Sequence, residues 1–238
     1  MSKLFVKLAA GFLLALAGSA HAAVIGIGNN GWYTPTLANN LTAQGHTVQV
    51  INWYDATSLS QFDAYIQEGN SYFNADALDS FVFNGGTLIQ LPWSFSHYDF
   101  TANTRLFSGR TNISSGASPA IQTYDAASWL LKGVSLPQAG AETLRYEVGN
   151  TFLNGTQKVL SWNDGTAVLG YKAYGEGMSV GFNVHLITSD SLPLDAAWSN
   201  QIVYNAINGP VADVPEPASI LLFGAGLGLA LAMRRRRS

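Results

Sequence analysis

The sequence predicts an α/β domain on a mostly parallel sheet covered on both faces. Three observations lead there. The first half reads strand, helix, strand, strand, helix, strand, the order that builds parallel crossovers. A further core strand, Met178 to Val184, is followed by a clear amphipathic helix. The stretch that carries these elements, residues 23–209 of 238, has the size of one such domain.

Each element has a local reason. Ala23 to Gly28 (AVIGIG) reads as a short buried strand. Thr34 and Pro35 form an N-cap and first-turn pair, and Leu37, Ala38 and Leu41 share the face of the helix that follows. Gly45 stops that helix. From His46 to Ile51, Val48 and Val50 alternate with polar residues, which predicts a second strand. Phe62 to Ile66 is a weaker third. Asn74 caps a helix carrying Leu78, Phe81 and Val82, which Gly85-Gly86 ends, and Thr87 to Leu91 (TLIQL) is the fourth strand. Residues 99–127, rich in Ser, Thr, Asn and Gly, read as a long insertion or loop, with a short helix at Ala126 to Leu131. The second half is rich in β-hairpin signals: Leu144 to Val148, Lys158 to Trp162 and Ala167 to Ala173, with turns at Asn154-Gly155 and Asp164-Gly165. In the last helix Leu194, Trp198, Ile202, Val203, Ala206 and Ile207 share a face, with Pro193 near its start and Gly209 after it.

Composition excludes several functions. The chain has no cysteine, so there is no thiolate nucleophile, disulfide framework or Cys-ligated metal. It is 47% hydrophobic and only 11% charged, with 6 Trp, 10 Tyr and 12 Phe, which excludes a disordered chain. The formal net charge is -3. Metal binding has little support: His46, His97 and His185 lack paired ligand spacing, and Asp76 and Asp79 at i, i+3 read as a solvated helix face. Gly26-Ile27-Gly28-Asn29-Asn30-Gly31 is a literal G-x-G-x-x-G. Trp32-Tyr33 separates it from the helix and no acid ends the second strand, so it reads as a glycine turn, and no cofactor is expected.

The two ends read as addresses. Lys3 and Lys7, the apolar run Leu8 to Ala17 and the A-x-A site Ala20-His21-Ala22 predict a secretory signal peptide over residues 1–22. Signal peptidase would then leave Ala23 first. At the other end a linker over 210–214 leads to Pro215-Glu216-Pro217, an apolar run from Ala218 to Met233, and Arg234, Arg235, Arg236 and Arg237. That run makes roughly 24 Å of helix, a marginal span for a hydrocarbon core of about 30 Å. The arginines would stay cytoplasmic. Val-Pro-Glu-Pro-Ala-Ser, the short Leu/Gly-rich helix and the arginine tail resemble the PEP-CTERM sorting signal of Gram-negative bacteria. The resemblance implies a partner exosortase that recognises the tripeptide Pro215-Glu216-Pro217 and cleaves near it. It implies a transient stage in the inner membrane and a final place at the cell surface or outside the cell, usually in bacteria that make extracellular polysaccharide.

The body resembles the class I glutamine-amidotransferase-like fold, a three-layer flavodoxin-like sandwich shared with ThuA-like domains. The residues that carry this are the opening strand, Gly45 to Val50, Phe81 to Ile89 and Gly175 to Asn183 before a final helix. Catalytic members of that fold place a cysteine on a sharp turn after a core strand and supply a histidine later. Here the turn reads Pro92-Trp93-Ser94-Phe95-Ser96, with no cysteine. His185 stands where the family's histidine would, and Asp190 is close enough in sequence to orient it. One reading is therefore a serine hydrolase using Ser94, His185 and Asp190. Against it, Trp93 and Phe95 flank Ser94 where a strained nucleophile turn wants small residues.

The other reading is a non-enzymatic binding module. Trp32-Tyr33 follows the first strand, Trp53-Tyr54 the second, Tyr72-Phe73 the third, and Trp93, Phe95, His97 and Tyr98 the fourth. Ligands of open α/β sheets sit at the carboxyl ends of strands. Rings at that edge, with Asn29, Asn30, Asn52 and Asn183, suit a neutral polar ligand such as a sugar unit. The bland alternative is that the rings cap the sheet. With the terminal signals set aside, residues 23–213 hold six basic and fourteen acidic groups, a net of -8. That acidity disfavours nucleic acid and anionic polymers and leaves a neutral extracellular polysaccharide.

Overall fold

In the computed structural model, the described residues are 22–29, 34–52, 59–67, 74–95, 100–186, 188–189, 192–193 and 197–210. They form a mixed α/β structure. The elements run β1 (Val24–Asn29), α1 (Thr34–Ala43), β2 (Thr47–Asn52), β3 (Ala64–Gln67), α2 (Ala75–Phe83), β4 (Thr87–Gln90), β5 (Asn112–Ala117), β6 (Ile121–Thr123), a 3-10 turn (Trp129–Leu131), β7 (Thr143–Val148), β8 (Gln157–Trp162), β9 (Ala167–Tyr174), β10 (Gly177–Phe182), β11 (Thr188–Ser189), β12 (Leu192–Pro193) and α3 (Ala197–Asn208).

An eight-stranded sheet runs in the order β2-β1-β3-β4-β10-β9-β8-β6. Its first five strands are parallel; β10 then meets β9, β9 meets β8 and β8 meets β6 antiparallel. Alternation along the strands sorts side chains onto two covered faces. Ile25, Ile27, Ile66, Ile89 and Val180 pack with Leu37 and Leu41 of α1 and with Trp198, Ile202 and Val203 of α3. Tyr65 and Leu88 point the other way, onto Leu78, Phe81 and Val82 of α2. Against β9 and β10, Phe95, Leu106, Phe107 and Ala167 make a smaller cluster.

The predicted punctuation is where the backbone needs it. Helix α1 ends at Gly45, φ +93°, with the N–H of Gly45 on the Thr42 carbonyl and that of His46 on the Leu41 carbonyl. Asn74 caps α2, its side chain accepting from the Asp76 N–H at 2.9 Å. The β8–β9 hairpin turns at Asp164-Gly165, with Gly165 at φ +86° and the Thr166 N–H on Asp164 Oδ1.

Three expectations are corrected. Residues 99–127 are not all loop, since β5 and β6 lie within them. Strand β5 (NISSGA) is small, polar and mostly exposed, so it has no apolar alternation to read, and its pairing with β7 defines it. Strand β7 accordingly pairs with β5 in a separate two-stranded ribbon, and the Asn154-Gly155 turn does not join it to β8. The last helix begins at Ala197, and Pro193 belongs to the short β11–β12 pairing before it. Among the described residues no helix is long and apolar enough to cross a membrane. The predicted signal peptide and the predicted span at 215–238 lie outside the described residues, apart from Ala22, which is exposed.

Candidate functional site at the carboxyl end of β4

Strand β4 leads into Leu91-Pro92-Trp93-Ser94, which has the marks of a type II turn. Proline sits second, Trp93 sits third at φ +78°, and the Ser94 N–H donates back to the Leu91 carbonyl at 3.2 Å. The third position of such a turn wants glycine. Among the described residues Trp93 is the single non-glycine residue with positive φ. The conformation costs on the order of 1–3 kcal/mol and persists where surroundings over-determine it.

The surroundings are identifiable. Glu147 on β7 is fully buried, and its Oε1 accepts the Trp93 N–H at 2.7 Å. The same oxygen pairs with Arg110 Nη1 at 3.1 Å, and Oε2 accepts from Asn150 Nδ2 at 3.0 Å. The Arg110 guanidinium lies 5.6 Å from the Trp93 ring centroid, a cation–π contact. On another side the His185 imidazole meets the indole edge-on, with centroids 5.9 Å apart. Asn183 ties β7 to the sheet: its Oδ1 accepts the Glu147 N–H at 2.9 Å, and its Nδ2 donates to the carbonyls of Glu147 and Ala167, each at 2.8 Å.

The candidate residues fall out as follows. Ser94 is fully buried, and its hydroxyl donates to the Leu91 carbonyl at 2.5 Å, closing the turn. His185 is buried and touches Trp93. Asp190 lies outside the described residues. Both turn amides, of Trp93 and Ser94, are taken up internally, by Glu147 and by Leu91. An oxyanion hole needs such donors aimed at a substrate. Of the aromatic edge, Trp93 is half-buried, while Trp32, Tyr33, Trp53, Tyr54, Tyr72, Phe73, His97 and Tyr98 lie outside the described residues. Two assignments to that edge are corrected. Phe95 is core, set edge-on to Phe107 with ring centroids 4.7 Å apart, and the Asn183 amide is spent on backbone. Among the described residues no group of three His, Asp or Glu is placed to hold a metal.

Sequence reasoning missed Glu147 and Arg110. Strand β7 alternates Leu144 and Tyr146 into the core, so Glu147 sits on the parity that reads as solvated. Its burial follows from the ribbon lying over the turn, which no local pattern announces. Pro92-Trp93 was the available clue, a proline in the position that starts a type II turn.

Comparison with known proteins bears on the tail and on the fold. Residues 213–237 match the PEP-CTERM protein-sorting motif. The chain carries an exosortase sorting signal. That motif implies a secreted protein held transiently by its C-terminus. Against curated protein sequences the chain has no significant match. Among solved structures, a cytoplasmic protein of Salmonella typhimurium LT2 is similar at 13% identity, over 77% of this chain and 97% of that one, with a TM-score of 0.57. A putative ThuA-like protein from Parabacteroides merdae is similar at 10% identity, over 81% and 92%, with a TM-score of 0.54. A glutamine amidotransferase from Thermotoga maritima matches at 8% identity, over 79% and 100%, with a TM-score of 0.48. The two neighbours with TM-scores above 0.5, the ThuA-like protein among them, agree with the fold resemblance read from the sequence and speak to the fold alone.

Proposed function

We propose that this PEP-CTERM protein is a non-enzymatic surface or matrix module that works by binding, with a flavodoxin-like domain over 23–209 as its cargo. On this reading signal peptidase removes residues 1–22. The segment 215–238 spans the inner membrane until exosortase acts near Pro215-Glu216-Pro217, and the released domain associates with extracellular polysaccharide. One observation carries the binding reading. At the turn after β4, where an amidotransferase-like enzyme would present a nucleophile, this chain presents an indole, packed on His185 and clamped by Glu147 and Arg110. Every polar group of that turn named above serves the fold. A half-buried indole at a strand end suits stacking on a sugar ring.

Two measurements test this on the full exported protein. A pull-down on neutral polysaccharides is expected to retain the wild type and to lose Trp53→Ala and Trp93→Ala, with both variants folded by circular dichroism. A folded wild type that binds no glycan removes the sugar assignment. A fluorophosphonate probe is expected to leave the protein unlabelled. Labelling at Ser94 that disappears in His185→Ala would replace the binding reading with a serine hydrolase.

A further inference from the structure

We propose that the fold contains a built seat for the amino terminus created by signal cleavage, formed by His46 at Ala23 and by Asp63 at Val24. The inference rests on the export reading above and adds where the cut falls, what receives the new end and in which order cutting and folding occur.

Two independent boundaries coincide. The sequence places the scissile bond between Ala22 and Ala23 by the A-x-A pattern alone. The structure changes character at the same bond: Ala22 is exposed and outside any element, while Ala23 is buried at 6% exposure. The Ala23 nitrogen donates to His46 Nδ1 at 3.2 Å. Its carbonyl accepts the Thr47 N–H at 2.9 Å. One residue on, the Val24 N–H donates to Asp63 Oδ2 at 2.8 Å, and the Val24 carbonyl accepts the Asp63 N–H at 2.8 Å. The start of β1 is thus gripped from β2 on one flank and from the residue before β3 on the other.

The chemistry suits an amine. Cleavage adds water across the Ala22–Ala23 amide. The C–N bond breaks, Ala22 leaves with the new carboxylate, and Ala23 keeps the new amine, which takes up a proton. A donor at Ala23 fixes His46 Nδ1 as the unprotonated nitrogen, so the ring is neutral with its hydrogen on Nε2. That lone pair, which meets the Ala23 nitrogen at 3.2 Å, can accept from the amine that cleavage leaves. On the other flank the Asp63 carboxylate holds the next N–H, that of Val24, and so fixes the strand that carries the new terminus. Helix α1, which packs on β1 and β2, carries no charged side chain to oppose it.

Order follows from burial. In the folded protein both sides of Ala23 are hydrogen-bonded and the residue is inside, so a protease has no extended strand to bind at the scissile bond. Cleavage therefore precedes the docking of β1, and the seat closes on the finished terminus.

The test uses the full-length chain exported by a bacterium with a general secretory pathway. Mass spectrometry of the exported protein is expected to read Ala23 first. The folded protein's terminal amine is expected to acylate several-fold more slowly than the same amine in denaturant. His46→Ala should lose that protection and His46→Gln, whose amide oxygen can accept, should recover part of it. Should His46→Ala fail to fold, nitrogen-15 spectra of the wild type decide: the His46 Nδ1 resonance must move when the terminal amine is acylated. An exported chain that begins elsewhere overturns the seat and leaves export standing. So does an Ala23 amine that labels equally fast folded and unfolded, or an Nδ1 resonance that ignores acylation. A chain retained in the cytoplasm with Met1 in place overturns the seat and the export reading together.

Discussion

The two ends of the parallel sheet solve opposite problems. At the carboxyl end the chain holds a tryptophan in a glycine conformation, with an ion pair buried at its Glu147 end and two asparagine amides arranged around it. At the amino end elements approach by having nothing in the way. Gly177 sits where an added Cβ would collide with the carbonyl oxygens of Val82 and Gly86, and Gly86 lies against the ring of Phe81. A pocket of about 320 Å³ opens at this end between Leu59, Phe62, Ser80 and Phe81. The Trp93 turn is fixed by polar groups, the seam between α2 and β10 by close backbone contact. Conformational specificity from buried polar groups and from packing should therefore fail differently when perturbed.

The largest effect is expected at Glu147. Replacing it with alanine leaves Arg110, the Trp93 N–H and Asn150 without their acceptor in a dry site. Arg110, 32% exposed, can turn to water, but the Trp93 N–H and the Asn150 amide are left unsatisfied at about 1–3 kcal/mol each. Glu147→Gln keeps an acceptor and should cost about 1–3 kcal/mol. Urea denaturation measures both. A loss below about 1 kcal/mol for alanine would mean that the turn is held by something else.

At the other end Gly177→Ala should cost about 1–3 kcal/mol, by forcing α2 away from β10. The same denaturation series reads it. If the alanine variant is as stable as wild type, the helix yields freely and the close approach is incidental. Here the change adds one methyl group and leaves every hydrogen-bonding partner present, so the contrast with Glu147 separates packing from polar satisfaction.

These two ends also differ in how far the sequence announces them. Gly45, Asn74 and Asp164-Gly165 were legible because each acts on its immediate neighbours, through a positive φ or a side chain capping an N–H two residues away. The parallel half followed, because the order of apolar runs constrains crossovers. Strand β5 was not legible, since Ser114 and Ser115 gain their conformation from Tyr146 and Arg145, their partners on β7. At the site the histidine, His185, was found from its place after a core strand. Glu147, Arg110 and the spent amide of Asn183 were not, because their roles depend on where a ribbon of residues 112–148 lies over the sheet.

Trp93 offers a finer cut. Trp93→Ala and Trp93→Gly remove the same indole, with its contacts to His185 and Arg110. They differ in backbone alone, and alanine at φ +78° keeps a strain that glycine does not. Glycine should therefore be the more stable of the two by about 1 kcal/mol. Equal stabilities would show that the turn relaxes once the ring is gone, so that ring packing holds the positive φ.

The smallest effect is a pH dependence at the amino end, and its sign is fixed. Burial lowers the His46 pKa from its ordinary 6.5. A histidine held neutral in the folded state contributes stability that is complete above its unfolded pKa of about 6.5 and is lost as pH falls toward the folded value. Below that, a protonated ring would face the Ala23 nitrogen, a donor, with no lone pair to offer, and a cationic amine would add repulsion. Asp63, the carboxylate on the other flank of β1, is common to wild type and variant. The stability of wild type minus His46→Gln should therefore shrink between about pH 7.5 and about pH 5. Parallel curves over that range would mean that His46 accepts no bond that depends on its neutrality, and the amino end would then be held by Thr47 and Asp63 alone.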